Sequence, residues 1–213
     1  MALSARSAPC CPSRLRNDPL DTTTINRMAL TYFKRYRMEI DLVGRDLCCP
    51  PLPRGYRFLS WDLSLLEAHA QAKYLSFREE LDANVFPCLG ELAGCRRLMD
   101  EISSKEGFVA DATWLVVYRA PGTSRNECCG TIQGISDRFG MGAVQNVGIT
   151  PPHRNLGLGT RLMYRAMQGF FRVGLKRVHL EVTADNEGAI RLYHGLGFTT
   201  VKTVFKAVEV AYS

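Results

Sequence analysis

The sequence predicts a mixed α/β fold in which an antiparallel meander of three strands is followed by a strand–helix–strand unit. Segments 113–118 and 128–136 are strand-like and flank a Pro-Gly turn with a polar loop, which is a hairpin signature. A third strand-like segment, 142–149, follows closely enough to complete the meander. A helix-periodic stretch over 160–173 and a β-branched segment over 178–182 come next, so the sheet should contain both strand orientations.

The other predicted elements surround this unit. Apolar residues three and four positions apart predict helices, and short apolar or β-branched runs bounded by Pro and Gly predict strands. The remaining predicted segments are strands over 32–42 and 56–61, helices over 63–81, 89–102 and 186–195, and one or two closing strands over 199–211.

The length and composition favour one soluble globular domain. With 213 residues the chain can form one full hydrophobic core and is too short for two domains of ordinary size. A hydrophobic fraction of 46% and a charged fraction of 23% favour an ordinary soluble protein. No apolar run approaches the length of a membrane span, and the first residues lack the apolar core of a secretory signal. We therefore expect a cytoplasmic protein without a membrane segment.

The first residues differ in composition from the rest. Residues 1–28 are rich in Ser, Pro, Arg and Thr and have no sustained periodicity, so we expect a disordered tail. The segment Met28-Ala29-Leu30 repeats the opening Met1-Ala2-Leu3. This repeat leaves open whether the native chain starts at Met1 or at Met28, which N-terminal sequencing of the natural protein would decide.

The cysteines do not predict a metal site. Six of the eight form three adjacent pairs: Cys10–Cys11, Cys48–Cys49 and Cys128–Cys129. Adjacent cysteines do not match the C-x2-C spacing of zinc sites, and nothing in the sequence indicates an oxidising compartment. We expect reduced thiols and no bound metal.

The basic residues are unevenly distributed. No acidic residue lies between Asp137 and Glu181, and the stretch carries seven basic ones: Arg138, Arg154, Arg161, Arg165, Arg172, Lys176 and Arg177. Each alone is most simply a solvated helix residue, but together they predict a positive surface that attracts phosphate. A phosphorylated cofactor or nucleic acid would suit such a surface. Nucleic acid is not expected, because the stretch lacks the interleaved exposed aromatics of a single-strand groove.

A glycine turn lies between the third predicted strand and the following helix. It reads Arg154-Asn155-Leu156-Gly157-Leu158-Gly159-Thr160. Glycine allows the backbone to turn tightly and to approach a ligand, and the free N–H groups of a helix's first turn attract an anion. A lone G-x-G can also merely shape a turn, and the dinucleotide fingerprint is absent because its third glycine is missing.

A second segment, 186–198, is structurally ordinary when considered alone. Asn186 is a plausible helix N-cap, and the glycines Gly195 and Gly197 end the helix before the next strand. Tyr193 lies on this half-buried helix, where a tyrosine most often serves packing.

The two segments together resemble a known family. Arg154-x-x-Gly157-x-Gly159 is similar to the R/Q-x-x-G-x-G/A signature of the GCN5-related N-acetyltransferase (GNAT) superfamily, and 186–198 matches its N-x-x-A-x-x-L-Y-x-x-x-G-F motif. The resemblance implies acetyl-CoA as cosubstrate. It implies that the turn residues hold the pyrophosphate and that Asn186 and the backbone of Val147-Gly148-Ile149 also contact the cofactor. It further implies that Tyr193 acts as general acid near the sulfur.

Acetyl transfer to an amine also needs a base and a donor for the developing oxyanion. Glu181, in Leu180-Glu181-Val182, is the candidate base, and the segment with Tyr193 is similar to the ribosomal-protein alanine N-acetyltransferases. Glu181 can equally be a solvated strand residue. Backbone N–H groups near Val147 would meet the oxyanion. Gln145 and Asn146 cannot act as bases and would orient substrate, and His153 fits a loop histidine better than a base.

The resemblance implies one GNAT domain over 29–213, with an acceptor side over 29–110 and an acetyl-CoA-binding core over 111–213. It covers motifs only in 142–198, so the acceptor stays open: a protein α-amine, a lysine, a polyamine, an aminoglycoside or a small metabolite. Acidic and aromatic residues of the acceptor side are candidates for an amine pocket: Tyr74, Phe77, Glu79, Glu80 and Phe86. A homodimer and a non-catalytic acyl-CoA-binding module also stay open.

Overall fold

The computed structural model describes residues 28–211, so residues 1–27 of the predicted tail, with Cys10 and Cys11, lie outside the described residues. Short 3-10 turns connect several of the elements. The strands and helices are β1 (Met28–Asp41), β2 (Tyr56–Ser60), α1 (Leu66–Phe77), α2 (Leu81–Val85), α3 (Leu92–Ser103), β3 (Trp114–Tyr118), β4 (Glu127–Ser136), β5 (Gly142–Ile149), α4 (Leu158–Arg172), β6 (Arg177–Thr183), α5 (Glu187–Gly195) and β7 (Thr199–Ala211).

The seven strands form one sheet in the order β2-β3-β4-β5-β6-β1-β7. Neighbouring strands are antiparallel except β5 and β6, which run parallel. The predicted mixed sheet is therefore confirmed, with β3, β4 and β5 as the meander and β5–α4–β6 as the strand–helix–strand unit.

Strand β1 is longer than predicted and lies in an unexpected place. It pairs antiparallel with β6 along one edge and with β7 along the other, so the first described strand is inserted between the last two. Met38 and Ile40 are buried, and alternate residues of a strand point to one face. This apolar alternation suits a strand in the interior of a sheet, but the sequence does not indicate which strands will flank it.

A β-bulge separates the parallel strands. β5 and β6 pair only at Gly142 with Val178 and at Ala143 with His179. Beyond this point the register between β4 and β5 shifts, and Asn146 has a φ of 48°. Because a bulge bends its strand and increases the local twist, β5 turns away from β6. The strands thus open a gap that widens towards their C-terminal ends.

A helix layer covers each face of the sheet. Gly134 of β4 faces Phe170 of α4, whereas its neighbour Gln133 contacts His69 of α1. Helices α4 and α5 therefore cover one face, and α1, backed by α3, covers the other. The apolar stripe predicted for α4 is mainly buried: Leu162, Met163, Ala166, Met167 and Phe170.

The helix predicted over 63–81 is interrupted. A 3-10 turn begins at Leu63, where Asp62 caps it by accepting from the Ser64 N–H at 2.9 Å, and α1 and α2 follow separately. The break between α1 and α2 turns the chain so that Glu80 and Asp82 line the gap between β5 and β6. Within residues 28–211, no helix has the length and apolar content needed to cross a bilayer.

Candidate functional site

Three adjoining cavities extend through the gap between β5 and β6. The turn groove, of about 420 Å³, follows β5 and the glycine turn and is lined by Gly148 and Gly157. The junction cavity, of about 100 Å³, shares Tyr193 with the turn groove. The far cavity, of about 340 Å³, shares Arg35 and Glu181 with the junction cavity. We call this row of adjoining cavities the path, and both residues predicted to be catalytic line it.

The structure brings most of the predicted cofactor-binding residues together. Leu156 and Thr160 do not line the turn groove, and Leu156 is exposed. The predicted residues that line it are Val147, Gly148, Ile149, Arg154, Asn155, Gly157, Leu158, Gly159, Asn186 and Tyr193.

The glycine turn has the geometry of an anion cradle. Asn155 and Gly157 have φ values of 62° and 70°, in the left-handed region that Gly and Asn adopt most readily. Gly157 is the N-cap of α4, which begins at Leu158, two residues earlier than predicted. The first-turn amides of α4 have no intrahelical acceptor and lie at the positive end of the helix dipole. The turn can therefore bind a phosphate through its backbone.

Arg154 is a structural clamp as well as a lining residue. Its Nη1 pairs with Glu80 Oε1 at 2.7 Å, its Nη2 donates to the Ser76 carbonyl at 3.0 Å, and its Nε donates to the Ile149 carbonyl at 3.1 Å. These bonds join the end of α1 to the end of β5 across the turn groove. Since Glu80 offsets its charge, Arg154 provides less positive potential than an unpaired arginine would.

The other basic residues of the acid-free stretch mostly make structural contacts away from the cradle. Arg165 lies over the rings of Phe58 and Trp114, and Arg172 pairs with Asp111 at 3.0 Å. Arg161, beside the turn, donates to the Pro51 carbonyl at 2.8 Å and to two carbonyls of the turn itself. The stretch therefore does not form the single positive surface that its composition predicts.

Tyr193 stays protonated in this environment. Its ring is buried on α5 and packs near Phe198. Burial raises the pKa of its phenol, and the nearby charge of Asp82 raises that pKa further. A protonated phenol between the turn groove and the junction cavity can donate a hydrogen bond to a group that develops negative charge there.

Glu181 is held by an arginine that the sequence analysis did not single out. Arg35 Nη1 lies 2.7 Å from Glu181 Oε2, and Arg35 Nη2 donates to the Glu181 carbonyl at 3.0 Å. The Glu181 side chain keeps 38% of its surface exposed. The carboxylate is thus oriented by β1 and still open to the cavities.

Asp82 is a second carboxylate at the junction and was also missed. It accepts hydrogen bonds from Thr183 Oγ1 at 3.1 Å and from Asn186 Nδ2 at 3.5 Å, and it lines both the turn groove and the junction cavity. Asn186 also accepts from the Ala189 N–H as the α5 cap. Asp82 therefore links α2 to the turn between β6 and α5. No sequence signal marks it, because it acts through residues about a hundred positions away.

The far cavity combines polar and apolar residues. Gln145 and Asn146 line it, as expected if they orient a substrate. His179 lines it too and lies 3.3 Å from Asp137, while burial and the charge of Arg37 lower the pKa of the imidazole. The apolar lining residues are Phe86, Cys88, Leu98, Val144 and Leu180.

Of the five residues predicted for an amine pocket, three line the cavities and two do not. Phe86 lines the junction and far cavities, and Phe77 lines the junction cavity and the turn groove. Glu80 lines the turn groove but pairs with Arg154. Tyr74 packs against the cluster between α1 and α3, and Glu79 pairs with Arg78, so neither lines these three cavities.

His153 belongs to a hydrogen-bonded group beside the glycine turn. Its Nδ1 lies 2.6 Å from the Tyr56 hydroxyl and its Nε2 lies 3.1 Å from Glu127. These contacts fix the 3-10 turn that precedes Arg154. Among residues 28–211 no group of three His, Cys, Asp or Glu side chains has the arrangement needed to hold a metal ion.

Comparison with known proteins identifies the family. The sequence profile described as "Acetyltransferase (GNAT) family" matches residues 87–198, which is more than half of the chain. The chain therefore belongs to the GNAT acetyltransferase family.

Curated relatives agree over shorter stretches. The mycothiol acetyltransferase of Nocardiopsis dassonvillei is 42% identical over 65 residues, which are 30% of this chain and 20% of that protein. The N-alpha-acetyltransferase RimI of Mycobacterium tuberculosis is 40% identical over 58 residues, 27% of this chain and 35% of that protein. The chain thus spans only a fifth to a third of the length of these two relatives.

Solved structures support the fold. The GCN5-related N-acetyltransferase from Sphaerobacter thermophilus matches with a TM-score of 0.61 at 21% identity, over 84% of this chain and 52% of that chain. At this identity the likeness concerns the fold alone.

Proposed function

We propose that this protein transfers an acetyl group from acetyl-CoA to a primary amine by direct attack, with Glu181 as base and Tyr193 as acid. The observation that carries the proposal is the path through the gap between β5 and β6. It joins the glycine-turn groove to the far cavity, and both residues lie on its narrow middle section. An enzyme that transfers a group between two substrates must hold the two reacting groups close together.

The turn groove fits the phosphate-bearing part of acetyl-CoA. Gly159 approaches Leu192 so closely that a Cβ on the glycine would lie 3.2 Å from Leu192 Cδ1. This position favours glycine at the start of α4, where backbone amides must reach the ligand. The first-turn amides beside Gly157 would hold the pyrophosphate, and the backbone of Val147, Gly148 and Ile149 would contact the pantetheine arm, since β5 has left β6 by this point.

The proposed residues divide the chemistry between them. Acetyl-CoA supplies a thioester carbonyl that an amine can attack. Glu181 would accept the proton that an ammonium acceptor must lose before its nitrogen can attack. A backbone N–H near Val147 would donate to the carbonyl oxygen as it gains negative charge. Tyr193 would donate from its phenol to the departing sulfur.

We also propose that residues 29–110 contribute to an acceptor side that they share with β5 and β6, whereas most of the acetyl-CoA side lies within 111–213. Arg35 and Phe86 line the far cavity and come from the N-terminal part. The glycine turn and Asn186 come from the C-terminal part.

The first experiment is calorimetric titration with acetyl-CoA, using desulfo-CoA and ATP as controls. Saturable binding of both coenzyme forms without binding of ATP would support the cofactor site, and a screen of primary amines for acetylation would follow. Binding of ATP equal to that of acetyl-CoA would contradict a coenzyme-specific groove.

One observation favours a non-catalytic acyl-CoA-binding module as the second candidate. Arg35 Nη1 already occupies one oxygen of the Glu181 carboxylate at 2.7 Å, which leaves less of that carboxylate free to meet an ammonium ion. A binding module would keep its affinity for acetyl-CoA and show no turnover with any amine. An enzyme would lose turnover in Tyr193→Phe while its coenzyme affinity stayed unchanged.

A further inference from the structure

A polar face extends from the far cavity across the three strands β6, β1 and β7. Directly opposed residues of antiparallel strands project to the same side, and Arg37 opposes both Glu181 of β6 and Lys202 of β7. Even-numbered residues of β1, such as Met38, face the core on the opposite side. We call this the basic platform: His179 and Glu181 from β6, Arg35, Arg37 and Glu39 from β1, and Lys202 and Lys206 from β7.

The platform has more positive than negative charge. Glu181 is paired with Arg35, and Glu39 accepts from Arg37 Nε at 2.8 Å and also pairs with Arg177. Among the ion pairs of the described residues, none involves Lys202 or Lys206. Both lysines therefore contribute positive potential that nearby carboxylates do not offset.

Two of the platform's cations lie directly opposite each other in the sheet. Lys202 lies directly opposite Arg37, and like charges in directly opposed positions of a sheet destabilise the pair of strands. An edge strand can place a lysine outward for other reasons, but this lysine shares its face with the cavity-lining residues Arg35 and Glu181. Glu39 already offsets part of the charge of Arg37, and a negatively charged ligand on the platform would offset that of Lys202.

The platform reaches the mouth of the far cavity through Phe86. The guanidinium of Arg35 and the ammonium of Lys206 both lie 4.9 Å from the centre of the Phe86 ring. Lys206 opposes Phe33, so it is a diagonal neighbour of Arg35 on the same face. Phe86 and Arg35 line the far cavity, which places Lys206 beside its opening.

We propose that the amine acceptor carries carboxylate groups, which Lys206 and Lys202 bind while the amine enters the far cavity towards Glu181. This inference rests on the proposed acetyl transfer and adds the class of acceptor. The shared chemistry is a primary amine with nearby carboxylates, which a free acidic amino acid or an acidic N-terminal peptide can supply. A basic polyamine or an aminoglycoside would be repelled by the platform.

The test compares acceptors that differ only in charge. The peptides Ala-Asp-Asp-Gly and Ala-Asn-Asn-Gly form one pair, and free glutamate and glutamine form the other. At saturating acetyl-CoA and low ionic strength, kcat/KM should be about three- to tenfold higher for the acidic member of at least one pair, because exposed ion pairs are individually weak. The preference should shrink at high salt. The pair that shows the preference identifies whether the acceptor is an acidic peptide or a free acidic amino acid.

The matched variants are Lys202→Gln with Lys206→Gln, and Lys105→Gln as a control that removes an exposed lysine elsewhere. The double variant should lose the preference for the acidic member, and the control should keep it. Equal kcat/KM for both members of each pair in the wild-type protein, or a preference that survives in the double variant, would overturn the inference.

A binding measurement separates this inference from the proposed function. The N-acetylated members of both pairs are titrated into the protein with CoA present, and the acidic product of at least one pair should bind about three- to tenfold more tightly. Equal affinities within both pairs, with intact acetyl-CoA binding, would overturn only the anionic acceptor. Loss of acetyl-CoA binding in the wild-type protein would overturn the proposed function itself.

Discussion

The two sides of the cleft are constructed differently. The proposed acetyl-CoA side is mostly backbone: a bulged strand, a glycine turn and the start of a helix, all within a stretch between 142 and 160. The proposed acceptor side is mostly side chains brought together from distant segments, such as Arg35 from β1 and Phe86 from the turn after α2. A site made of backbone depends on a few glycines at fixed spacing. A site made of side chains changes its shape and charge when any one of the lining residues is substituted. The difference should appear in how each side responds to substitution.

The largest effect is expected at the glycine turn. In Gly157→Val, a β-branched residue must adopt a φ near 70°, which distorts the cradle and should lower acetyl-CoA affinity at least about a hundredfold through lost charge-assisted hydrogen bonds. Calorimetry measures the affinity. Gly122→Val is the matched control, because Gly122 has a φ of 78° and lies in the loop between β3 and β4 with open space around it. Equal affinity in the two variants would mean that the turn is not the phosphate site.

Tyr193→Phe should separate binding from chemistry. The substitution keeps the buried ring and removes the phenol, so kcat should fall about a hundredfold or more, as for other acid catalysts, while acetyl-CoA affinity is unchanged. Single-turnover kinetics and calorimetry measure the two quantities. Tyr164→Phe removes a phenol from α4 outside the three cavities and should retain full activity. An unchanged kcat in Tyr193→Phe would remove this residue from the acid role.

One buried charged residue in helix α1 should lower the free energy of unfolding, and its replacement should restore that free energy. Lys73 is fully buried on α1, and burial lowers the pKa of its ammonium from 10.5 to about 8. Because the unfolded chain binds the proton more tightly, this cost is fully present below pH 8 and is relieved as the pH rises from about 8 to about 10.5. Lys73→Met should therefore raise the free energy of unfolding at pH 7, by on the order of 3 kcal/mol.

Urea unfolding at pH 7 and pH 10 measures this effect, and the stabilisation should be smaller at pH 10. The control Lys105→Met, at an exposed site, should change the free energy of unfolding by no more than about 0.5 kcal/mol. A destabilised Lys73→Met at pH 7 would show that the buried ammonium makes favourable interactions that outweigh its desolvation.

The smallest of these effects is expected for the proposed base. Glu181→Gln should lower kcat/KM about tenfold at pH 7, where the acceptor is mostly an ammonium ion, and by less towards pH 10, where the free amine is abundant. The comparison variant is Asp82→Asn, which removes the other carboxylate of the junction. A pH-dependent loss in Asp82→Asn together with a flat loss in Glu181→Gln would transfer the base role to Asp82.

The predicted backbone-made segments lie together around the turn groove, whereas the side-chain contacts at the junction were not predicted, for a physical reason. The spacing of Gly157, Gly159 and Tyr193 depends on local turns and helix periodicity, which short segments determine. The contacts of Arg35 with Glu181 and of Asp82 with Thr183 join residues 146 and 101 positions apart, and no local pattern encodes such distances. The mixed sheet was predictable from local periodicity, but the placement of β1 was not, because either of its edges could have paired elsewhere.

The number of basic residues between Asp137 and Glu181 also led to a wrong prediction, namely that this stretch forms one positive surface. Arg165 and Arg172 are used in packing and pairing with residues outside the stretch, whereas the positive surface near the far cavity comes from β1 and β7. The composition of a segment gives only the number of its charged residues. The surface potential also depends on which of them lie beside oppositely charged residues in the folded chain.

The position of β1 has a consequence for how the chain is made. Among the strands of residues 28–211, a ribosome releases this one first, yet its partners β6 and β7 follow only about 150 residues later. At ordinary elongation rates both edges of β1 would stay unpaired for roughly ten to thirty seconds, a period in which an open strand can pair with other chains. The nascent chain should therefore depend on chaperones until β6 and β7 emerge, and Arg35 meets Glu181 only after β6 has been made.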